Sequence, residues 1–189
     1  TMVLKNGKQY QIDMHLKHNR SKGIAVNKIP MKKASELFGI LNIVFFSPED
    51  LNIIKNGPSE RRHFLDAELC QLDKIYLSDL SNYNKILNQR NKLLKDMVYR
   101  PELSDTLPVW DMQLADTGKK IIRRREQFVK ELNELVHEIH YRISGGREEL
   151  FLSYEPSVSA DLLEQELERV KPRDLKQCQT SVGPHRDDL

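Results

Sequence analysis

The spacing of apolar and polar residues predicts strands at the start of the chain. Residues 9–18 alternate between apolar and polar side chains, which predicts a half-buried strand. Asn6-Gly7 precedes this segment, and this pair is the strongest short signal for a hairpin, so residues 2–5 are predicted to pair with the strand. A turn at residues 19–23 and a further strand over residues 24–29 complete the predicted β-rich part.

The next segment leads from strands to helices. Residues 32–41 predict a short helix with its apolar side chains on one side, and the apolar run at residues 43–46 predicts a buried strand. Ser47 then stands at the N-cap position and Pro48 at the first helical position, so a helix is predicted to begin there. Residues 58–60 (Pro-Ser-Glu) predict a second helix start.

Two long stretches show the heptad spacing of helices that pack along a seam. The seam positions of the first are Tyr76, Leu80, Tyr83, Leu87, Arg90, Leu94 and Met97. Those of the second are Ile121, Arg125, Phe128, Leu132, Leu135 and Ile139. Residues 99–108 hold two prolines and break the helix, so the two helices are predicted to form an antiparallel hairpin, the second running over residues 109–143.

Each seam contains one arginine, Arg90 or Arg125. These arginines either extend to solvent or pair with carboxylates, or they face a partner or DNA.

Shorter elements follow the second long helix. Ser144-Gly145-Gly146 predicts its end, and residues 151–154 predict a strand. Residues 161–170 predict a short acidic helix that Lys171-Pro172 terminates. Residues 180–189 are then expected to return toward the sheet.

Composition limits the function. The 30 basic and 28 acidic residues leave a net charge of +2, so any DNA contact has to come from local clustering. Cys70 and Cys178 are far apart and predict no disulfide framework. No run approaches the roughly 20 apolar residues that span a bilayer, so we expect no membrane association and a cytoplasmic location.

Basic residues cluster in the second long helix. The cluster comprises Lys119, Lys120, Arg123, Arg124 and Lys130. Lys120, Arg123 and Arg124 share a helix face, which either binds phosphates of DNA or is a solvated face whose charge nearby glutamates offset. No aromatic residues interleave with the charge, so sequence-specific reading of bases is not predicted.

Two motifs resemble the RecF family of bacterial recombination-repair ATPases, which is related to SMC proteins and ABC ATPases. The first motif comprises Pro48, Glu49, Ile53, Ile54, Gly57, Pro58, Arg61, Arg62, Phe64, Leu65 and Asp66. The second is Gly183-Pro184-His185-Arg186-Asp187-Asp188. The chain departs from the family pattern at Asn56 and Cys178, where glycine is expected.

The resemblance implies an α+β fold, mostly α, in which an antiparallel helical lobe is inserted into the small β-sheet of an ABC-type ATPase lobe. The implied domains are residues 1–47, the β-rich part of the ATPase lobe, residues 48–178, the helical lobe, and residues 179–189, a return strand. The early strands then form the antiparallel flank of that sheet, although the pattern also fits a generic β-meander.

The resemblance also implies a function for the longer protein. Such a protein would bind single-stranded and duplex DNA near gaps as an ATP- and Mg²⁺-dependent homodimeric clamp, and would help load recombinase with RecR and RecO. No Gly-x-x-x-x-Gly-Lys-Ser/Thr loop occurs in this chain. We therefore expect an internal part of the protein that holds no cofactor and hydrolyses no ATP, but contacts DNA and RecR.

Three groups of residues are candidate sites. By resemblance, Ser47, Glu49 and Asp50 form a nucleotide-sensing loop, although helix capping alone explains them. Arg61 and Arg62 bind phosphate or pair internally with Glu60 and Asp66. His185, Arg186, Asp187 and Asp188 fit a structural ion-pair cluster at the lobe junction better than a catalytic dyad, since no nucleophile accompanies them.

Two alternatives belong to other classes. The first is a non-enzymatic helical module that docks a protein partner. The second is a di-metal carboxylate bundle, because Glu60-x-x-His63 and Glu134-x-x-His137 match the Glu-x-x-His spacing of such bundles, with His140 nearby.

Overall fold

A computed structural model describes residues 2–5, 7–16, 23–44 and 47–189. Four antiparallel strands in sequence order form a small sheet: β1 (Met2–Lys5), β2 (Lys8–His15), β3 (Gly23–Val26) and β4 (Ile29–Pro30). Its core is small and contains Ile12, Ile24, Val26 and Leu37.

The predicted hairpin between the first two strands is confirmed, because Lys5 pairs with Lys8 and Met2 with Gln11. The single strand expected at residues 24–29 is instead two strands. Asn27 and Lys28 adopt left-handed backbone conformations, with φ of 50° and 66°, and turn the chain so that Val26 pairs with Ile29. The predicted Asn6 position and the turn at residues 19–22 lie outside the described residues, as do positions 17 and 18 of the predicted strand.

The remaining chain is mostly helical. Its helices are α1 (Asn52–Lys55), α2 (Pro58–Leu72), α3 (Lys74–Asp96), α4 (Leu107–Ile143) and α5 (Leu163–Gln177). Short 3-10 helices lie at Ala34–Leu37, Pro48–Leu51, Pro101–Thr106, Ala160–Leu162 and Pro184–Arg186. The prediction of a mostly α fold with a small β-sheet is confirmed.

The helix starts follow local chemistry. Pro48 and Pro58 stand at the first positions of their helices, as predicted. Asp73 separates α2 from α3, because its carboxylate accepts hydrogen bonds from the N–H groups of Ile75 (2.8 Å) and Tyr76 (3.1 Å). The heptad pattern does not by itself predict this N-cap, although an aspartate that precedes an apolar seam is a usual signal for a helix start.

The two long helices form the predicted antiparallel hairpin. Arg90, near the end of α3, contacts Asp111 near the start of α4, whereas Tyr76 near the start of α3 contacts Arg125 further along α4. The main core lies between these helices, α2 and α5. Toward the end of α4 the predicted seam is not covered, since Leu135 is 60% and Ile139 56% exposed.

Three local predictions were wrong. Residues 32–41 form only the 3-10 turn Ala34–Leu37, and residues 151–154 form no strand. The acidic helix α5 does not end at Pro172 but continues to Gln177, because Val170 and Asp174 on either side of the proline are buried against the helical body. Residues 43 and 44 of the predicted buried strand lie outside any strand, and residues 45 and 46 are not among those described.

The last segment packs against the helical body. Asp188 and Glu155 exchange two backbone hydrogen bonds of 2.9 Å, which form an isolated antiparallel bridge. The return of residues 179–189 to an ATPase sheet, and the division into three domains, stay predictions.

Candidate functional site: the junction of the two motifs

The two sequence motifs, which are more than a hundred residues apart, meet through Arg61. Its guanidinium donates to both carboxylate oxygens of Asp188, at 2.6 and 2.9 Å. The same side chain donates to the backbone oxygens of Ile53 (3.2 Å) and Asn56 (2.9 Å), which belong to α1 and its end. Because Arg61 stabilises the carboxylate form of Asp188, it lowers the pKa of that carboxyl group.

Arg62 adds a second connection, donating to the backbone oxygen of Asp187 at 2.6 Å. Both arginines therefore bond internally, as one sequence interpretation proposed, but their partners are Asp188 and the Asp187 backbone rather than Glu60 and Asp66. The prediction that they bind DNA is not tested by these contacts.

Arg125 is the centre of the junction. The residue is 1% exposed, and its guanidinium donates to Asp66 (2.7 Å), Tyr76 (3.0 Å) and the backbone oxygen of Pro184 (2.7 Å). It also lies 3.5 Å from a carboxylate oxygen of Asp187. The seam arginine thus pairs with carboxylates inside the protein and does not face a partner.

The buried carboxylate of Asp187 is fully bonded. It accepts from the Tyr154 hydroxyl and, at 2.8 Å, from the backbone N–H of Ser157. The Ser157 hydroxyl in turn donates to the Gly183 backbone oxygen at 3.1 Å. The segment before α5 and the closing motif therefore form one hydrogen-bonded unit, which fits the predicted ion-pair cluster at this junction.

His185 is held in its neutral form. Its Nε2 lies 3.1 Å from the Thr180 backbone oxygen, so Nε2 carries the proton, and Nδ1 accepts from the Tyr83 hydroxyl at 2.7 Å. Burial is the main cause that lowers the pKa of His185 to about 4; the positive charges of Arg186 and Arg62 contribute to this shift, and the hydrogen bond to Thr180 opposes it. Arg186 is exposed and donates to the same Thr180 oxygen at 3.2 Å.

A polar cavity of about 260 Å³ lies beside this junction. Its lining includes Arg62, His63, Asp66, Arg125 and His185. Asp66 and Arg125 bond each other beside the cavity, and Arg125 also bonds the backbone of Pro184, so these side chains connect α2, α4 and the closing motif.

A second buried network fixes the other end of the hairpin. Arg90 is fully buried and donates to Asp111 at 2.6 Å, and to Asp174 and Thr180 at 2.8 Å each. Asn91 accepts from the Thr180 backbone N–H at 2.8 Å. Burial raises the pKa of Asp111, while Arg90 acts in the opposite direction.

The sequence had marked Arg90 but none of its partners, because residues from α4, α5 and the closing segment meet only in the folded chain.

The predicted nucleotide-sensing residues make local contacts. The backbone N–H of Ser47 donates to the Asp50 carboxylate at 2.6 Å, and Asp50 N–H donates back to the Ser47 oxygen at 3.0 Å. The Ser47 side chain lowers the pKa of Glu49. These are capping contacts, and a role in nucleotide sensing stays a prediction.

Four cations of the predicted DNA-binding cluster on α4 have carboxylate partners. The pairs are Lys119–Glu164 (3.1 Å), Lys120–Asp116 (2.8 Å), Arg123–Asp161 (2.5 Å) and Arg124–Asp73 (3.1 Å). Lys130 is exposed, and no ion pair joins it to another described residue. Glu164, Asp161 and Asp73 belong to other elements, whereas Asp116 lies on α4 itself. Arg124 also lies 3.8 Å from Glu131, one of the glutamates of α4 that the sequence suggests as partners.

The di-metal alternative loses its basis. Across residues 2–5, 7–16, 23–44 and 47–189, no three His, Cys, Asp or Glu side chains are grouped so that they could hold a metal ion. His137 stacks on Phe151 with ring centroids 5.1 Å apart, and His140 lies 3.8 Å from Glu148.

Comparisons with known proteins find RecF proteins. The chain is 67% identical over 189 residues to the DNA replication and repair protein RecF of Agathobacter rectalis, and 59% identical over 189 residues to that of Lachnospira eligens. These matches cover 100% and 99% of the chain and 52% of each relative.

The chain matches RecF proteins along its whole length. It spans about half the length of the curated RecF proteins that it matches. A solved structure of the recombination mediator protein RecF with ATPrS, from the RecFOR pathway, superposes with a TM-score of 0.86 at 36% identity, covering 97% of this chain and 52% of that one. A RecF–ATP structure from the same pathway gives the same TM-score and covers 95% of this chain. No protein-family model matches the chain.

The resemblance inferred from the two motifs is thereby confirmed, as is the mostly α fold with a small antiparallel sheet. The described helices include none with the length and apolar character needed to cross a bilayer.

Proposed function

We propose that this RecF-type protein acts in DNA repair and recombination in the cytoplasm. It binds single-stranded and duplex DNA near gaps as an ATP-dependent dimeric clamp, and it helps load recombinase with RecR and RecO. The observation that carries this proposal is the 67% identity to a RecF protein along the entire chain. The superposition on a RecF–ATP structure of the RecFOR pathway supports it.

For the residues of this chain we propose a non-catalytic role. The chain contains no Gly-x-x-x-x-Gly-Lys-Ser/Thr loop, so ATP and Mg²⁺ are bound mainly by other parts of the longer protein. Ser47, Glu49 and Asp50 sense the nucleotide. Arg61 connects α1, which follows this loop, to Asp188, and so relays its position to the closing motif.

The experiment that tests the clamp proposal replaces the matching half of Agathobacter rectalis RecF with this chain. In bacteria that lack RecF, the chimera should restore survival of DNA damage to the level given by that RecF. A chimera that is expressed and folded but restores no survival would contradict the proposal.

Two measurements on the chain itself test its proposed role. Its affinity for a fluorescent duplex should fall as salt rises, since phosphate contacts release counterions. Incubation with ATP and Mg²⁺ should give no phosphate release above the buffer blank. Turnover that persists after repurification would contradict the non-catalytic role.

Docking of RecR is a second proposed role, and an exposed apolar surface favours it. Leu135, Ile139 and Ile143 on α4 are 60%, 56% and 80% exposed, and Phe151 beyond the helix is 65% exposed. Immobilised RecR should capture the chain, and Leu135→Ser/Ile139→Ser should weaken that capture. A matched change at the exposed Ile75 on α3, Ile75→Ser, should leave it unchanged.

A further inference from the structure

The outward face of α3 carries a row of cationic and neutral polar side chains. Its members follow one another at alternating steps of three and four residues, and every one is exposed. We call them the α3 stripe: Ser78, Ser81, Lys85, Asn88, Lys92 and Lys95. This spacing places them on one side of the helix.

The α3 stripe contains no carboxylate. No aspartate or glutamate occurs between residues 80 and 95, and none of the ion pairs among the described residues involves Lys85, Lys92 or Lys95. The acids at the two ends are engaged elsewhere or partly covered, since Asp96 pairs with Arg100 at 3.6 Å and Asp79 is half-buried.

This distinguishes the stripe from the basic cluster on α4. There, Lys119, Lys120, Arg123 and Arg124 each lie within 3.1 Å of a carboxylate. Binding DNA at those positions would require breaking ion pairs, whereas the lysines of the α3 stripe have no such pairs to break. One acid on the flank, Asp116, lines a cleft together with Lys85 and is bonded to Lys120 at 2.8 Å.

The dimensions and the chemistry fit a nucleic-acid backbone. From Ser78 to Lys95 the helix rises about 26 Å, which is the axial length of roughly eight base pairs of duplex. Ammonium, amide and hydroxyl groups are the donors that proteins use for phosphate oxygens. The tyrosines of α3, Tyr76 and Tyr83, are buried, so this face offers no aromatic platform for bases.

The opposite side of α3 is held rigidly, so the stripe keeps its geometry. Tyr83 and Arg90 point into the core, and the buried Arg90 bonds to Asp111 of α4 and Asp174 of α5.

We propose that the α3 stripe contacts the phosphate backbone of duplex DNA, without reading its sequence. This inference rests on the proposed function, because it assigns the surface through which this part of the protein binds DNA.

The test compares triple variants of the chain by fluorescence anisotropy with a labelled duplex at several salt concentrations. Lys85→Gln/Lys92→Gln/Lys95→Gln removes the cations of the stripe. Each lost phosphate contact lowers the slope of log affinity against log salt by about 0.9, so the slope should fall by up to about 2.7. At 0.1 M salt the affinity should fall by about tenfold or more.

Two controls separate position from net charge. Lys8→Gln/Lys32→Gln/Lys176→Gln removes the same charge from exposed lysines elsewhere, and it should change the slope much less. Lys120→Gln/Arg123→Gln should also leave most of the affinity, because both cations are already paired. All substituted residues are exposed, and far-UV circular dichroism verifies that each variant is folded.

The outcomes distinguish the two proposals. Equal slopes for the stripe variant and the matched lysine control, with intact binding by the unchanged chain, would overturn the stripe alone. A larger loss of DNA affinity in Lys120→Gln/Arg123→Gln than in the stripe variant would assign the contact to α4, and it would likewise overturn the stripe proposal. Absence of salt-dependent binding by the unchanged chain would contradict DNA contact by these residues altogether, and with it the stripe.

Discussion

At the scale of single residues, backbone conformation explains one departure from the family pattern. Cys178 ends α5 with φ of 53° and ψ of 33°, the left-handed region in which glycine is favoured. A residue with a Cβ in this conformation destabilises the folded state by about 1–2 kcal/mol. Glycine avoids this cost, but its more flexible unfolded chain offsets part of the gain in stability. The glycine expected from the resemblance therefore has a structural reason.

Cys178→Gly should raise the free energy of unfolding by about 0.5–1 kcal/mol, because it relieves the left-handed strain. Urea unfolding measures the change. Cys178→Ala serves as the control, since it removes the thiol but keeps the Cβ and should give no such gain. Equal stability of the two variants would contradict the explanation.

The buried arginines carry a larger part of the stability. Arg90→Leu should lower the free energy of unfolding by about 3–5 kcal/mol, because Asp111 and Asp174 would lose their cation inside the core. Arg169→Leu is the matched control. Its side chain is 72% exposed and pairs with Glu166 on the surface, so its loss should lower the free energy of unfolding far less than the loss of Arg90 does. Similar losses in both variants would refute this argument.

At the scale of elements, helix contacts override local propensity. Gly118 lies within α4 where side chains of α3, the start of α5 and the closing motif approach its backbone. A Cβ there would lie 2.6 Å from Leu163 Cδ2 and 3.3 Å from Tyr83 Cε2. Glycine normally weakens a helix, but here it permits the helices to pack closely.

Gly118→Ala should therefore destabilise the protein by about 1–3 kcal/mol, although alanine is the better helix former. Thermal unfolding measures the effect. Ser81→Ala, at an exposed position of α3, is the comparison and should be neutral or slightly stabilising. A stabilised Gly118→Ala protein would show that the close approach is not tight.

Pro172 lies inside α5 although it lacks the N–H that a helical hydrogen bond needs. Tertiary packing on both sides of the proline keeps the chain helical there. Pro172 is exposed, so Pro172→Ala restores the helical hydrogen bond without altering the core. The free energy of unfolding of the Pro172→Ala protein should be about 1–3 kcal/mol higher than that of the unchanged protein. Lys176→Ala in the same helix should change stability by less than about 0.5 kcal/mol, and an unchanged Pro172→Ala protein would contradict the expectation.

At the scale of the whole molecule, the junction makes stability depend on pH. His185 is neutral in the folded protein with a pKa of about 4, whereas an unfolded histidine titrates near pH 6.5. Below pH 6.5 the unfolded chain therefore binds more protons than the folded one. Stability should fall as the pH decreases from about 6.5 to about 4, by an amount on the order of 2–3 kcal/mol.

Urea unfolding at several pH values measures this loss. His185→Gln keeps a polar side chain but cannot titrate, so its stability should change less over the same interval. Parallel curves for the two proteins would assign the pH dependence to other groups.

The sequence by itself determined the main helices, the first hairpin and the resemblance to RecF proteins. Period-two and heptad patterns predicted the first strands and the α3–α4 hairpin, because burial on one face imposes those periods. Proline and capping residues marked helix starts at Pro48 and Pro58. Two motifs were sufficient to indicate a RecF-type protein.

The tertiary structure alone decided the partners. Arg61 and Asp188 are 127 residues apart, and Arg90 and Asp174 are 84 apart, so no local pattern encodes either pair. Packing likewise continued α5 past Pro172 and paired Lys119, Arg123 and Arg124 of α4 with carboxylates from other elements. The reason is that the charge of a side chain and the spacing of apolar residues are local properties of the sequence. The contacts of a side chain depend instead on which elements the completed core brings together.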